Sequence, residues 1–137
     1  MTTRARAVGM LLNDQAQVLL MLRNKAGRAY GTLPGGGIES GETPAEACAR
    51  ELLEEVNLVV TVGEEVLTLD NLDNREHYFR VSHVSGEMRL GDGPEGIRNS
   101  AENSYTPQWV NVAELDAVNL VPEQVRGVVR TLAQIAG

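Results

Sequence analysis

The chain has 137 residues and a mass of 14.8 kDa, a length that predicts a single domain over residues 1–137. Hydrophobic residues make up 42% of the sequence and charged residues 23%, which excludes a disordered chain or a fibre. The net charge of -7 disfavours partners such as bulk nucleic acid or an acidic membrane, because like charges repel.

The sequence shows no signal for export or membrane insertion. Met1 to Arg6 is not followed by the apolar run of a secretory signal, and no apolar stretch approaches the ~20 residues of a membrane span. Cys48 is the single cysteine, so the chain can form neither an internal disulfide nor a multi-cysteine zinc site. These features predict a cytoplasmic protein with no membrane partner.

The N-terminal part of the chain is predicted to begin with two strands. Ala7 to Leu12 and Gln17 to Leu22 are apolar runs, and the turn-forming residues between them predict a hairpin. The basic segment Arg23 to Gly31 is predicted to be a loop. The glycines Gly35 to Gly37 are also predicted to form a loop, because they permit backbone angles that are closed to other residues.

Thr43 to Val56 carries the clearest helix pattern. Thr43, Pro44 and Glu46 stand in the order of an N-cap, a first-turn proline and a capping-box acid. Asn57 can take the left-handed conformation that ends a helix. The predicted buried stripe has a spacing of three and four residues and consists of Ala45, Cys48, Ala49, Leu52 and Val56.

The C-terminal half alternates further strands with a helix. Predicted elements are strands at Leu58 to Leu69, His77 to Val84 and Tyr105 to Val112, a long mobile loop at Gly86 to Asn103, a helical turn at Ala113 to Ala117 and a helix at Pro122 to Ala136. The last helix is predicted to pack through Val125, Val128, Val129, Leu132 and Ile135. Strands around two helices predict an α/β layered domain with a mixed sheet.

Three glutamates lie on one side of the predicted first helix. Glu51, Glu54 and Glu55 are three and four residues apart, and like charges so placed cost a few tenths of a kcal/mol per pair. Arg50 is the only local counter-charge. Taken alone, the pattern favours a solvated acidic face. The alternative is a site for a hard divalent cation, since no Cys or His stands nearby to favour zinc.

The spacing around these glutamates favours the divalent-cation site over the solvated face. From Gly36 there are five residues to Glu42, seven more to Arg50, and then a run that ends with Asn57 and Leu58. The pattern resembles the Nudix box, G-x5-E-x7-R-E-U-x-E-E-x-G-U with U aliphatic, at eight of nine fixed positions. The exception is Asn57, where the family usually has glycine, and asparagine tolerates the same left-handed backbone.

The resemblance implies a Nudix-type α/β/α sandwich and the hydrolysis of a pyrophosphate bond in a nucleoside diphosphate linked to another moiety. It implies Mg²⁺ as the cofactor, with Mn²⁺ as an alternative, held by Glu51, Glu54 and Glu55 and by the backbone carbonyl of Gly35 or Gly36. Glu54 and Glu55 are the candidates for the base that takes a proton from water. Arg50 is expected to pair with Glu42 and to orient the glutamates.

Further site residues follow from the same resemblance. Glu102, with Glu95 behind it, is the candidate for an extra metal-binding carboxylate, although either could be simply exposed. Arg23 is the candidate for a substrate phosphate, and a solvated loop arginine is an equally good interpretation. Tyr30 and the glycine run through Gly37 complete the predicted substrate-binding set.

Two functional classes remain open from the sequence. An enzyme is favoured because all four box glutamates are present, whereas a non-catalytic sensor of a nucleotide or sugar nucleotide often lacks some of them. The substrate could be an oxidised nucleoside triphosphate, a nucleoside diphosphate sugar, a dinucleoside polyphosphate or an ADP-ribose-type compound. The resemblance also allows a homodimer.

Overall fold

The computed structural model describes residues 4–89 and 103–136. The strands in this part of the chain are β1 (Arg4–Leu11), β2 (Gln17–Lys25), β3 (Arg28–Thr32), β4 (Gly35–Gly37), β5 (Val59–Asn71), β6 (Asn74–Ser85) and β7 (Asn103–Asn111). The helices are α1 (Pro44–Val56) and α2 (Gln124–Ala136), and a short 3₁₀ turn covers Val112–Glu114.

The strands form two sheets. One has the order β4-β1-β6-β5 and is mixed, because β1 is parallel to β6 and the other pairs are antiparallel. The second has the order β3-β2-β7 and is antiparallel. The predicted α/β class with a mixed sheet is therefore confirmed, with a second sheet added.

Strands β1 and β2 are buried on both faces. Alternate side chains point to two cores, one covered by α1 and the other by α2, which gives the predicted α/β/α layering. Burial on both faces explains why these strands read as nearly continuous apolar runs. The residues that face the α2 core are Val8, Met10, Val18 and Leu20, and those that face the α1 core are Ala7, Leu11, Leu19 and Met21.

Three of the predicted connections are wrong. The first two strands join through the bridge between Leu12 and Val18 but then enter different sheets, so they do not form a hairpin. The segment 23–31 is itself a hairpin of β2 and β3, closed by Ala26 and Gly27 at φ 53° and 83°. The glycine run is strand β4, paired with β1.

The ends of α1 are as predicted. The Thr43 side chain accepts the N–H of Glu46, and the Glu46 carboxylate accepts the N–H of Thr43. At the other end Asn57 is left-handed at φ 63°, and its N–H donates to the carbonyls of Leu52 and Leu53. The Asn57 side chain also donates to the carbonyl of Glu87 at 3.0 Å.

The packed faces of both helices differ slightly from the predicted stripes. In α1, Cys48, Leu52 and Val56 are buried as predicted, while Ala45 and Ala49 are only half-buried. Ala47 and Glu55 are buried instead, because the helix also packs against β4. In α2, Val125, Val129 and Leu132 are buried and Val128 is half-buried, but Ile135 is exposed.

The predicted loop from Gly86 to Asn103 lies mostly outside the described residues. Its first four residues, 86–89, have no regular structure, and Asn103 begins β7. Within the described residues, neither helix has the length and apolar character needed to cross a membrane.

Cys48 is expected to be unreactive in the folded protein. Its side chain is fully buried, and burial raises the pKa of the thiol to about 12, so little thiolate forms near pH 8. A thiol-specific chromogenic reagent should label less than a tenth of the native protein under conditions that label one thiol per unfolded chain. Rapid stoichiometric labelling without denaturant would contradict the buried position.

Candidate active site

The acidic face of α1 is organised around Arg50. Its Nε and Nη2 atoms donate to the two carboxylate oxygens of Glu42 at 2.7 and 2.9 Å, which forms the predicted pair. Its Nη1 atom donates to Glu51 at 3.0 Å and to Glu54 at 3.2 Å. Nη2 also donates to the carbonyl of Gly37 at 2.9 Å, so one guanidinium joins α1, the segment before it and β4.

This network changes the ionisation of its members. The hydrogen bonds from Arg50 hold the pKa of Glu42 below its ordinary value, and Glu42 raises the pKa of Arg50 in return. Burial raises the pKa of Glu51, and the hydrogen bond from Arg50 opposes that effect. Arg50 is therefore positively charged at all working pH values and stabilises the carboxylate form of its neighbours.

Replacing Arg50 with glutamine is expected to destabilise the fold most at neutral pH. The pKa of Glu42 is lowered in the folded state, so its contribution to stability is present above about pH 4.5 and is lost as the pH falls through the folded-state value. The melting temperature should fall by about 2–4 °C or more at pH 7, and by less at pH 4. In the Glu42→Gln background the same substitution should cost less. A loss independent of pH and of Glu42 would contradict the pairing.

The three glutamates of α1 share one side of the helix but differ in exposure. Glu55 is 8% exposed, and one of its carboxylate oxygens accepts the N–H of Gly35 at 3.2 Å. The side chain of Glu51 is 14% exposed and that of Glu54 is 45% exposed. The site therefore grades from a buried carboxylate beside β4 to one that faces solvent.

Strand β4 lies between β1 and these glutamates because it has no side chains. A Cβ atom on Gly36 would lie 2.3 Å from Oε2 of Glu51. A Cβ atom on Gly35 would lie 2.3 Å from the carbonyl oxygen of Ala7 and 2.7 Å from Cα of Val8. Only glycine at both positions lets the backbone of β4 touch β1 on one side and the carboxylates on the other.

These groups form an all-oxygen donor set. The carboxylates of Glu51, Glu54 and Glu55 and the backbone carbonyl of Gly36 could hold Mg²⁺ or Mn²⁺, which prefer such ligands. Within residues 4–89 and 103–136, no three acidic, histidine or cysteine side chains already converge as a metal cluster. Glu51 and Glu54 instead accept hydrogen bonds from Arg50, so binding an ion would require their carboxylates to turn. The predicted ligand Glu102, like Glu95, lies outside the described residues.

A cavity of about 230 Å³ opens between the two sheets, and it contains two predicted substrate-binding residues. Arg23 and Tyr30 face each other across the β2–β3 pair and both line it. The Nε atom of Arg23 donates to Thr32 at 2.8 Å, and its guanidinium lies 4.9 Å from the ring centre of Tyr105. Arg23 is thus held against the cavity wall by β3 and β7.

The cavity also contains polar residues that sequence reasoning missed. These are Arg6, Asn71 and Glu76, which line it beside Tyr78, whose hydroxyl donates to Glu76 at 2.7 Å. The available signal was the two-residue spacing of Glu76 and Tyr78, which places both on one face of a strand. The strand was predicted to begin at His77, so Glu76 was left outside it.

Arg6 connects this cavity to the acidic face of α1. Arg6 lies on β1, the strand that pairs with Gly35 to Gly37. Its Nε atom lies 3.6 Å from Oε2 of Glu76. Burial raises the pKa of Glu51, and the positive charge of Arg6 partly opposes that effect. Arg6 therefore lines the cavity and also lies within electrostatic reach of Glu51.

Comparisons with known proteins place this geometry in a family. The family model of the NUDIX domain matches residues 3–132. An 8-oxo-dGTP diphosphatase of Escherichia coli K12 is 41% identical over 118 residues, 85% of this chain and 86% of that protein. An ADP-ribose pyrophosphatase of Methanocaldococcus jannaschii is 32% identical over 90 residues, 61% of this chain. This chain spans only 53% of that archaeal relative.

The fold is also shared with solved structures. A structure from work on MutT of Aliivibrio salmonicida and Vibrio cholerae superposes with a TM-score of 0.72 at 23% identity, covering 96% of this chain and 97% of that one. The domain match spans almost all of the described residues, and the sequence likeness to the E. coli protein extends over most of both chains. On these grounds the chain belongs to the Nudix family.

Proposed function

We propose that this protein is a divalent-metal-dependent pyrophosphohydrolase. It cleaves a phosphoanhydride bond in a nucleoside diphosphate linked to another moiety, by attack of water at phosphorus. The observation that carries the proposal is the contact of the side-chain-free strand β4 with the carboxylates of Glu51 and Glu55. That contact places the backbone of β4 against two carboxylates, and β1, the strand paired with β4, contributes Arg6 and Val8 to a cavity large enough for part of a nucleotide.

The proposed metal ligands are Glu51, Glu54, Glu55 and the carbonyl of Gly36, with Glu102 as a further candidate. When bound, Mg²⁺ or Mn²⁺ supplies positive charge beside the anionic phosphates and makes a bound water more acidic. Without that charge the acidic face of α1 would repel a pyrophosphate. A pyrophosphate can therefore bind beside these carboxylates only when a cation reverses the local charge.

The side chains around the metal ligands have distinct proposed roles. Arg50 is a positioning residue, because its hydrogen bonds hold Glu51 and Glu54 beside Glu42 and Gly37. Glu54 is the proposed acceptor of the proton from the attacking water, because its carboxylate is the most exposed of the three. Glu55 is the alternative acceptor.

The proposed substrate-binding residues lie in the cavity and on β4. Arg23 offers a guanidinium for a phosphate, and Tyr30 offers an aromatic face beside it. The backbone of Gly35 to Gly37 permits close approach of phosphate oxygens. The two relatives named above are called an 8-oxo-dGTP diphosphatase and an ADP-ribose pyrophosphatase, and both compounds carry a phosphoanhydride attached to a nucleoside.

A substrate panel tests the proposal. Purified protein is incubated with 8-oxo-dGTP, dGTP, ADP-ribose, a nucleoside diphosphate sugar and a dinucleoside polyphosphate, each with Mg²⁺, Mn²⁺ or EDTA. We expect release of a nucleoside monophosphate from at least one compound with metal and none with EDTA. In ¹⁸O-labelled water the label should appear in only one of the two phosphorylated products. That product contains the phosphorus that water attacked.

The same panel addresses the sensor alternative. Binding of a nucleotide in EDTA, without turnover of any compound under either metal, would overturn the proposed hydrolase and favour a sensor. A cytoplasmic location and a homodimer remain predictions from the sequence, and light scattering of the purified protein measures the second.

A further inference from the structure

The cavity between the sheets takes one wall from the connecting segment (residues 115–123), which joins the 3₁₀ turn to α2. Val121 and Pro122 belong to this segment and line the cavity. The N–H of Gly31 on β3 donates to the carbonyl of Asn119 at 3.1 Å, and the N–H of Val121 donates to the carbonyl of Gly31 at 2.9 Å. The position of the wall therefore depends on how the connecting segment lies against β3.

This backbone pairing is short. Both hydrogen bonds use Gly31, and because proline has no N–H, the pairing cannot continue through Pro122. Asn119 has the left-handed conformation at φ 55°, so the chain does not approach β3 as a regular strand. The side chains of Leu115 and Leu120 are fully buried in the α2 core, which anchors the segment but leaves the orientation of its backbone to other contacts.

Arg126, in the first turn of α2, supplies three such contacts. Its Nε atom donates to the carbonyl of Leu120 at 2.8 Å, its Nη1 atom to the carboxylate of Asp116 at 3.1 Å, and its Nη2 atom to the side-chain oxygen of Asn119 at 3.3 Å. The Arg126 side chain is only 14% exposed. Because a guanidinium is planar and its donors point in fixed directions, these bonds hold the three acceptors in one arrangement relative to α2.

Resting on the proposed function, we infer that Arg126 is a positioning residue that fixes this cavity wall for the bound nucleotide. It acts through the backbone carbonyl of Leu120, one residue before the wall begins at Val121. Among the described residues, Arg126 does not line the cavity and donates to none of the proposed metal ligands. Its replacement should therefore weaken nucleotide binding and leave the chemical step intact.

The same support extends to β3. Tyr30 and Thr32 stand on either side of Gly31 in the sequence, and both line the cavity. The Thr32 hydroxyl accepts a hydrogen bond from Arg23, the residue proposed to meet a substrate phosphate. A shift of the connecting segment would disturb the pairing at Gly31 and, with it, both neighbours. The expected effect is therefore on nucleotide affinity as a whole and not on the choice of one base.

Arg130 offers a matched control on the same helix. It lies one turn further along α2 and donates to the same carboxylate of Asp116 at 3.0 Å. In the described part of the chain it donates to neither Leu120 nor Asn119. The hydrogen bond from Arg130 is the largest cause that holds the pKa of Asp116 below its ordinary value. Replacing Arg130 therefore removes the same positive charge and an ion pair with Asp116, but it spares the contacts that Arg126 makes with the connecting segment.

Steady-state kinetics of Arg126→Met and Arg130→Met, with the best substrate of the panel, test the inference. We expect KM to rise about fivefold or more in Arg126→Met while kcat stays within about twofold of the wild type, and neither to change in Arg130→Met. An unchanged KM in Arg126→Met, an equal rise in both variants, or a fall in kcat alone would overturn the inference. If Arg126→Met does not fold, Arg126→Lys decides by the same criteria, because lysine keeps the charge but lacks the planar set of donors.

Binding of nucleoside monophosphates separates this inference from the proposed function. These compounds carry no phosphoanhydride, so calorimetry with dGMP and AMP in the presence of Mn²⁺ measures binding without turnover. If the wild type hydrolyses no compound but binds a monophosphate about fivefold or more tightly than Arg126→Met does, the inference stands and the hydrolase falls. Hydrolysis by Arg126→Met with the KM of the wild type would support the hydrolase and overturn the inference. A wild type that neither hydrolyses nor binds any of these compounds would overturn both.

Discussion

The Glu55→Gln variant is expected to lose nucleotide hydrolysis by a factor on the order of a hundred to a thousand in kcat, without loss of stability. Glu55 is nearly fully buried and accepts the N–H of Gly35. The amide oxygen of glutamine can accept the same hydrogen bond, but the negative charge proposed to hold the metal is gone. A neutral amide is also less costly to bury than a carboxylate, so the melting temperature should be unchanged or higher.

The measurement pairs steady-state kinetics with thermal unfolding. Glu64→Gln serves as the control, because it removes one exposed carboxylate from β5 and should leave both readings unchanged. Activity of Glu55→Gln within tenfold of the wild type would contradict the role of Glu55 in the site. A large fall in melting temperature would instead mean that the Glu55 charge stabilises β4.

The Gly36→Ala variant is expected to remove most of the activity while the protein stays folded. The added Cβ would lie 2.3 Å from Oε2 of Glu51, so this carboxylate must move away from β4. The clash is with the flexible end of a side chain, which can turn at modest cost in the free energy of unfolding. The variant should therefore show a loss of kcat of about a hundredfold, and weaker binding of Mn²⁺ by calorimetry.

The neighbouring Gly35→Ala variant provides the contrast. Its Cβ would meet the carbonyl oxygen of Ala7 and Cα of Val8, which belong to the backbone of β1 and cannot turn aside. We expect destabilisation of about 1–3 kcal/mol or more, measured by denaturant unfolding. Equal stability losses in the two variants would contradict the separate surroundings assigned to Gly35 and Gly36.

The first helix was predictable because its signals are local. The capping box of Thr43 and Glu46 and the left-handed Asn57 are set by residues within one turn of each helix end. The pair of Arg50 with Glu42 was predictable from the resemblance to a known motif. Such features need no knowledge of where the rest of the chain lies.

The errors fall where distant pairing decides the structure. Gly35 to Gly37 have a low intrinsic preference for strands, and β4 exists because its backbone pairs with β1. Likewise, no local feature separates a hairpin of β1 and β2 from two strands that enter different sheets. The predicted turn between them is present, but it connects the sheets.

The cavity was hidden for the same reason. Arg6, Asn71 and Glu76 lie on three different strands of one sheet, and the β1–β6 register sets Arg6 opposite Glu76. Without that register, a glutamate in a charged stretch is interpreted as exposed. The buried Glu76 therefore required the tertiary structure to become visible.

Asn57 shows how a departure from a motif can be energetically neutral. A left-handed backbone costs a side-chain-bearing residue roughly 1–2 kcal/mol, and asparagine less than most. Against this, asparagine restricts the unfolded chain more than glycine does, by about 0.4–1 kcal/mol, and its amide donates to the carbonyl of Glu87. The opposing contributions to the free energy of unfolding are of similar size. Stability alone therefore gives evolution little reason to prefer glycine over asparagine, or the reverse, at position 57.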